Sequence, residues 1–122
     1  MSTPHILIVD DDSLIRETVL LLLEDIAATK QTAHDGVEAL QWLNTESFNL
    51  VITDNNMPGM SGIELLERMR NMERFKNIPV LLQSGDATPE VIAQVQKLGG
   101  VFLRKPSDKL LETVEALLVP QK

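Results

Sequence analysis

The sequence predicts an α/β domain built on a parallel sheet of five strands with helices on both faces. Two observations carry this expectation. Strand and helix patterns alternate five times between residues 5 and 118. Most of the strands are continuous apolar runs rather than apolar–polar alternations, which marks strands buried on both faces. No repeat, low-complexity tract or internal linker interrupts the chain, so residues 1–122, with a core at 5–118, are expected to form one domain.

The elements follow in order. Residues 5–9 are apolar and rich in β-branched side chains, and they end abruptly in Asp10-Asp11-Asp12. Residues 13–27 place Leu14/Ile15, Val19, Leu22/Leu23 and Ile26 at helical spacing. Residues 30–33 are a polar strand, suited to a sheet edge. Asp35-Gly36-Val37-Glu38 reads as a capping box opening a helix that carries Val37, Leu40 and Leu43. Residues 48–53 form a buried strand that again ends in Asp, at Asp54, before a loop marked by Pro58-Gly59. Ser61-Gly62-Ile63-Glu64 is a second capping box, opening a helix with Ile63, Leu66 and Met69.

Residues 79–83 are the fourth strand. Thr88-Pro89 is an N-cap followed by proline at the first helical position, and Gly99-Gly100 stops that helix. Residues 101–103 form a short strand before Lys105-Pro106. Ser107 or Asp108 caps a last helix carrying Leu110/Leu111, Val114 and Leu117/Leu118.

Composition narrows the function. The 122 residues carry 11 Lys plus Arg and 18 Asp plus Glu, a net charge of −7. A chain of this length hides roughly two-thirds of its unfolded surface and needs no staple. Cysteine is absent, which excludes disulfides, thiolate metal sites and cysteine nucleophiles. The acidity and the scattered Lys and Arg argue against direct nucleic-acid binding. The longest apolar run, Val19 to Leu23, is far short of the roughly 18 residues of a membrane span. Met1 to His5 lacks the basic start of a signal peptide, so a cytoplasmic location is expected.

In an open parallel sheet, ligands sit beyond the carboxyl ends of the strands. Asp10 and Asp11, Asp54, Ser84 and Lys105 all fall there. Taken singly, each has an ordinary explanation: Asp10 to Asp12 as a helix start, Asp54 as a turn starter, Ser84 as a loop residue, Lys105 as surface. Their joint placement is what points to chemistry. Three neighbouring carboxylates cannot all stay ionised without a cation, and Mg²⁺ is the hard, oxygen-seeking candidate. A lysine and a hydroxyl beside them suit the oxygens of a phosphoryl group. Asp54 opens a loop and is the best phosphoryl acceptor.

Ile6 to Asp12, Ala33 to Leu40, Asp54-Asn55-Asn56-Met57-Pro58-Gly59-Met60-Ser61-Gly62 and Lys105-Pro106 together resemble the receiver domain of bacterial two-component response regulators. The resemblance covers residues 5–118. It implies a doubly wound, flavodoxin-like (βα)₅ fold with strand order 2-1-3-4-5. It implies that Asp54 takes a phosphoryl group from a histidine kinase or a histidine phosphotransfer protein. Asp10, Asp11, Asp54 and the backbone carbonyl of Asn56 would hold Mg²⁺. Ser84 and Lys105 would bind phosphoryl oxygens, and Lys105-Pro106 would be cis. Asp12 is expected to point away from the metal.

Phe102 stands at the family's switch aromatic and is expected to turn from exposed to buried as Ser84 moves inward. The face from about Pro89 to Leu118 would then be read by a downstream partner, an output domain or a second copy of the chain. Asn56 and Asp86, both small and polar, are placed to tune dephosphorylation, which is expected to be fast. Gln83 stands where the family has an apolar residue and leaves an amide near the site without an evident partner.

Three other functions compete. A phosphatase of the haloacid-dehalogenase type also opens on an Asp-rich strand end, but has no role for Asp54 to Gly59. A flavin-binding flavodoxin lacks support, because Ser/Thr/Gly-rich phosphate loops are missing and aromatics are few. A receiver fold used only for docking has no need of an intact acidic set. The expectation is a phosphoacceptor domain rather than an enzyme.

Overall fold

The computed structural model describes residues 3–118. Ten elements alternate along it: β1 (His5–Val9), α1 (Ser13–Leu22), β2 (Thr29–Ala33), α2 (Gly36–Thr45), β3 (Leu50–Asp54), α3 (Gly62–Arg70), β4 (Val80–Ser84), α4 (Pro89–Lys97), β5 (Val101–Arg104) and α5 (Leu110–Leu118). The strands pair in parallel in the order β2-β1-β3-β4-β5. The polar strand β2 sits at an edge, where its side chains meet water.

Side chains of successive strand residues point to opposite faces, so each central strand feeds two cores. Leu7, Val9, Val51, Val80 and Leu82 join Ala39, Leu43, Ile63, Leu66, Met69 and Val95 beneath α2, α3 and α4. Ile6, Ile8, Leu50, Ile52 and Leu81 join Val19, Leu23, Leu110 and Val114 beneath α1 and α5. The same period of two continues past the apolar runs. Asp10 follows Ile6 and Ile8, and Asp54 follows Leu50 and Ile52, so both carboxylates belong to the α1/α5 face.

Several boundaries differ from the sequence reading. The first helix ends at Leu22 rather than at 27. Leu23 caps it by donating to the Val19 carbonyl, and two tight turns carry Ile26 into the core without helix. The buried stripe is Ile15, Val19 and Leu23, four residues apart, so Leu14 (67% exposed) and Leu22 (50%) fall beside the stripe and face solvent. The third strand runs 50–54 rather than 48–53; Phe48 is buried but precedes the ladder. Proline cannot donate to the sheet, and the fourth strand begins after Pro79 and extends to Ser84.

The caps explain how the helices enter. Ser61 and Glu64 complete the expected reciprocal box. Asp35 makes only its first half: it accepts from the Glu38 amide, while Glu38 reaches one residue further back, to the His34 amide (2.7 Å) and ring. Those bonds outweigh the effect of burial and hold Glu38 below the usual carboxylate range. Gly62 is required by close approach, since a Cβ there would stand 2.4 Å from the Asp54 carbonyl. The end of β3 and the start of α3 are thereby held together at the sheet's carboxyl edge.

Candidate functional site

Four of the expected residues converge at the carboxyl edge. Lys105 Nζ donates to Asp54 Oδ1 at 2.7 Å and to Asp10 Oδ2 at 3.1 Å. Asp10, Asp11 and Asp54 each offer an oxygen, and these oxygens lie within 4.8 Å of one another. Asp10 is buried, Asp54 half-buried and Asp11 exposed, so the cluster opens to water on one side. Asp12 points away as expected. Its carboxylate caps α1 by accepting from the Leu14 and Ile15 amides. The Lys105-Pro106 peptide is cis.

The electrostatics follow from this crowding. Burial pushes the Asp54 carboxyl up, Lys105 pulls it back, and the Asp10 charge raises it again; the net is a carboxyl above its ordinary range. Burial lowers Lys105, but the Asp54 hydrogen bond and the charges of Asp10 and Asp54 outweigh it, so the ammonium is held above its ordinary value. Three carboxylates and one ammonium leave a formal charge of −3 + 1 = −2 at neutral pH. The cluster can hold a divalent cation in charge and in donor type, because all its donors are hard oxygens.

A second cluster lies across the same edge. Asp86 Oδ1 accepts from Asn56 Nδ2 at 2.6 Å and from Ser84 Oγ at 3.0 Å. Ser84 is fully buried at the end of β4, whereas Asn56 and Asp86 are exposed on different loops. Hydrogen bonds from Asn56 first and Ser84 second hold the Asp86 carboxyl below its usual range. Asn56 and Asp86 are thus not independent groups flanking the site, as their positions in sequence suggest. They form one bridge, and the Ser84 hydroxyl is tied into it.

Phe102 stands apart from both clusters. It pairs in register with Leu82, is half-buried against the core under α2 to α4, and carries the Arg104 guanidinium 5.8 Å from its ring centroid. Arg104 also donates to the carbonyls of Gly85 and Ala87 (3.5 and 3.4 Å), tying the loop after Ser84 to the strand that bears Phe102.

Sequence reasoning passed over three supporting residues. Arg16 Nη1 donates to the Asp10 carbonyl at 2.6 Å, pinning the acidic turn to α1. Asn55 Oδ1 accepts the Ile63 amide at 3.1 Å, and its carbonyl accepts from Met57 and Gly62, so it anchors α3 beside Asp54. Arg104 is the third. An Arg one helical turn after the Asp12 cap was the available signal for the first; the other two depend on the folded loops.

The family model of the response regulator receiver domain matches residues 6–115. The chain belongs to that family. The receiver domain is 42% identical over 95 residues to the chemotaxis protein CheY of Pseudomonas aeruginosa, covering 77% of each chain. It is 38% identical over 116 residues to the CAI-1 autoinducer sensor kinase/phosphatase CqsS of Vibrio cholerae, covering 92% of this chain but only 17% of that protein. Among solved structures, a response regulator receiver protein from Pseudomonas putida superimposes with a TM-score of 0.88 at 34% identity, covering 95% of this receiver and 98% of that chain.

Receiver domains act in two-component signalling, where phosphorylation by a histidine kinase is typical of the family. Among the described residues, no helix of this receiver is long and apolar enough to cross a membrane.

Proposed function

We propose that Asp54 is the phosphoryl acceptor of this receiver, with a histidine kinase or a histidine phosphotransfer protein as donor, acting in the cytoplasm. The observation that carries the reading is the position of Asp54. It joins the acidic cluster, is braced by Lys105 at 2.7 Å, and is the last residue of β3, where a loop opens to solvent. In the transfer, an Asp54 carboxylate oxygen attacks phosphorus, the P–N bond of the phosphohistidine breaks, and its electron pair returns to the imidazole. The receiver is a phosphoacceptor that assists only its own phosphorylation and dephosphorylation.

Asp10, Asp11, Asp54 and the Asn56 carbonyl would hold Mg²⁺, which would supply charge that draws phosphoryl oxygens toward a carboxylate that otherwise repels them. Lys105 already spans Asp10 and Asp54 and is placed to pass one donor to an incoming phosphoryl oxygen. Ser84 supplies another donor once its hydroxyl leaves Asp86. That release draws in the loop tied by Arg104 to β5, and Phe102 follows. The changed surface spans α4, β5 and α5, where an output partner or a second copy of the chain reads it.

Acetyl phosphate with Mg²⁺ should add one phosphoryl mass to the intact protein, and Asp54→Asn should gain none. Equal labelling of the variant rejects the assignment.

A further inference from the structure

We propose that Arg16 is a positioning residue for the cation site: by holding the peptide between Asp10 and Asp11 it aims the Asp11 carboxylate and makes the acidic cluster prefer Mg²⁺ to Ca²⁺. The inference rests on the reading of that cluster as the Mg²⁺ site and adds the residue that sets its selectivity.

The three carboxylates are not held alike. Asp10 is tied at each of its polar groups: its amide donates to the Ala33 carbonyl at 3.1 Å, its Oδ1 accepts the Asp12 amide at 3.0 Å, its Oδ2 accepts Lys105 at 3.1 Å, and its carbonyl accepts Arg16 Nη1 at 2.6 Å. Asp54 is braced by Lys105. The Asp11 carboxylate is exposed and makes no hydrogen bond among the described residues. Its aim is therefore set by its backbone, which means by the rigid peptide planes on either side. The following plane is fixed where the Asp12 amide meets Asp10 Oδ1, and the preceding one where the Asp10 carbonyl meets Arg16.

Arg16 reaches this carbonyl because helical side chains lean toward the N-terminus. Its own amide also closes the first turn of α1 on the Asp12 carbonyl at 3.0 Å. The residue is half-buried, and among the described residues no carboxylate lies within ion-pair distance of its guanidinium. A cation next to three consecutive aspartates thus bonds a peptide carbonyl and none of the acids. On a carboxylate it would compete with a metal for oxygens. On the carbonyl it makes a charge-assisted bond that stiffens the turn and leaves both Asp11 oxygens open.

Stiffness separates the two hard cations. Mg²⁺ demands near-ideal octahedral geometry with ligands at ~2.0–2.1 Å, whereas Ca²⁺ accepts a flexible shell at ~2.3–2.6 Å. A loosened turn therefore weakens the smaller ion more.

The test titrates Mg²⁺ alone and Ca²⁺ alone into the ¹⁵N-labelled, metal-free full chain with no phosphoryl donor present, reading the amides beside Asp10 and Asp54. Groups that orient a metal's ligands typically contribute about 10- to 100-fold in affinity. Arg16→Met should bind Mg²⁺ about tenfold more weakly and lose less for Ca²⁺, so its preference for Mg²⁺ should fall. Arg16→Lys keeps a charged donor for the single bond and should lie between the parent and Arg16→Met; it carries the same comparison should the methionine variant fold poorly. Charge alone works the other way, because removing a cation beside an acidic cluster tightens both ions. The inference is overturned if Arg16→Met binds Mg²⁺ as tightly as the parent or more tightly, if Mg²⁺ and Ca²⁺ weaken equally, or if Arg16→Lys is no better than Arg16→Met. A parent chain that binds no Mg²⁺ overturns the reading of the cluster as well, whereas a parent that binds it beside variants that behave in any of those ways overturns the role of Arg16 alone.

Discussion

The Lys105 ammonium sits closer to Asp54 than to Asp10, 2.7 against 3.1 Å, although Asp10 is the more buried of the two carboxylates. The lysine therefore favours Asp54 and leaves Asp10 free to take a further donor, the Asp12 amide at 3.0 Å. One cation thus relieves two carboxylates that face each other. Replacing it by an isosteric apolar chain should leave them uncompensated. Lys105→Met should lose about 1–2 kcal/mol of stability without divalent cation. Mg²⁺ should bind that variant more tightly and restore most of the loss. Denaturant melts with and without Mg²⁺ check this; a variant as stable as the parent in the absence of metal contradicts it.

Asp54 is held above the ordinary aspartate range, chiefly by burial. The folded protein therefore binds more protons than the unfolded chain between the ordinary value, ~3.9, and the raised one. Stability falls as pH rises through that window, and the cost persists above it. Asp54→Asn escapes the cost. In metal-free buffer its melting temperature should exceed that of the parent at neutral pH, and the gap should shrink on acidification through the carboxylate range. Added Mg²⁺ should narrow the gap at neutral pH. A gap that does not change with pH contradicts the assignment of strain to this carboxyl.

Ser84 donates a hydrogen bond to Asp86 that, in the proposed mechanism, a phosphoryl group replaces. Asp86→Ala frees the hydroxyl and should bind beryllofluoride, a mimic of the phosphoryl group, about three- to tenfold tighter than the parent. Asp86→Asn keeps the acceptor oxygen and removes the charge, so it should fall between the two. Weaker binding by Asp86→Ala would show that the bridge supports the bound state instead of opposing it.

Much of this architecture is legible in the sequence. Apolar runs that stop dead in Asp10 and Asp54 announce buried strands and place their ends together, because a parallel sheet aligns all its carboxyl termini. The acidic cluster, the lysine and the cis Lys105-Pro106 bond follow from that alignment and from the family's motifs. What escaped is set by contacts between distant loops. Asn56 and Asp86 are 30 residues apart, and nothing in either neighbourhood announces that they meet. The spacing overextends α1 because Ile26 keeps the helical period while leaving the helix through turns. Glu38 fits a capping-box position, yet the His34 amide and ring captured it.

The central claim is that one carboxylate, Asp54, carries the phosphoryl group. An acyl phosphate is reduced by borohydride to the alcohol, which converts the acceptor aspartate to homoserine. After treatment with acetyl phosphate and Mg²⁺, borohydride reduction and peptide mass mapping should find homoserine at position 54, and none at Asp10, Asp11 or Asp86. Reduction located at any of those three, with residue 54 recovered as aspartate, would contradict the account.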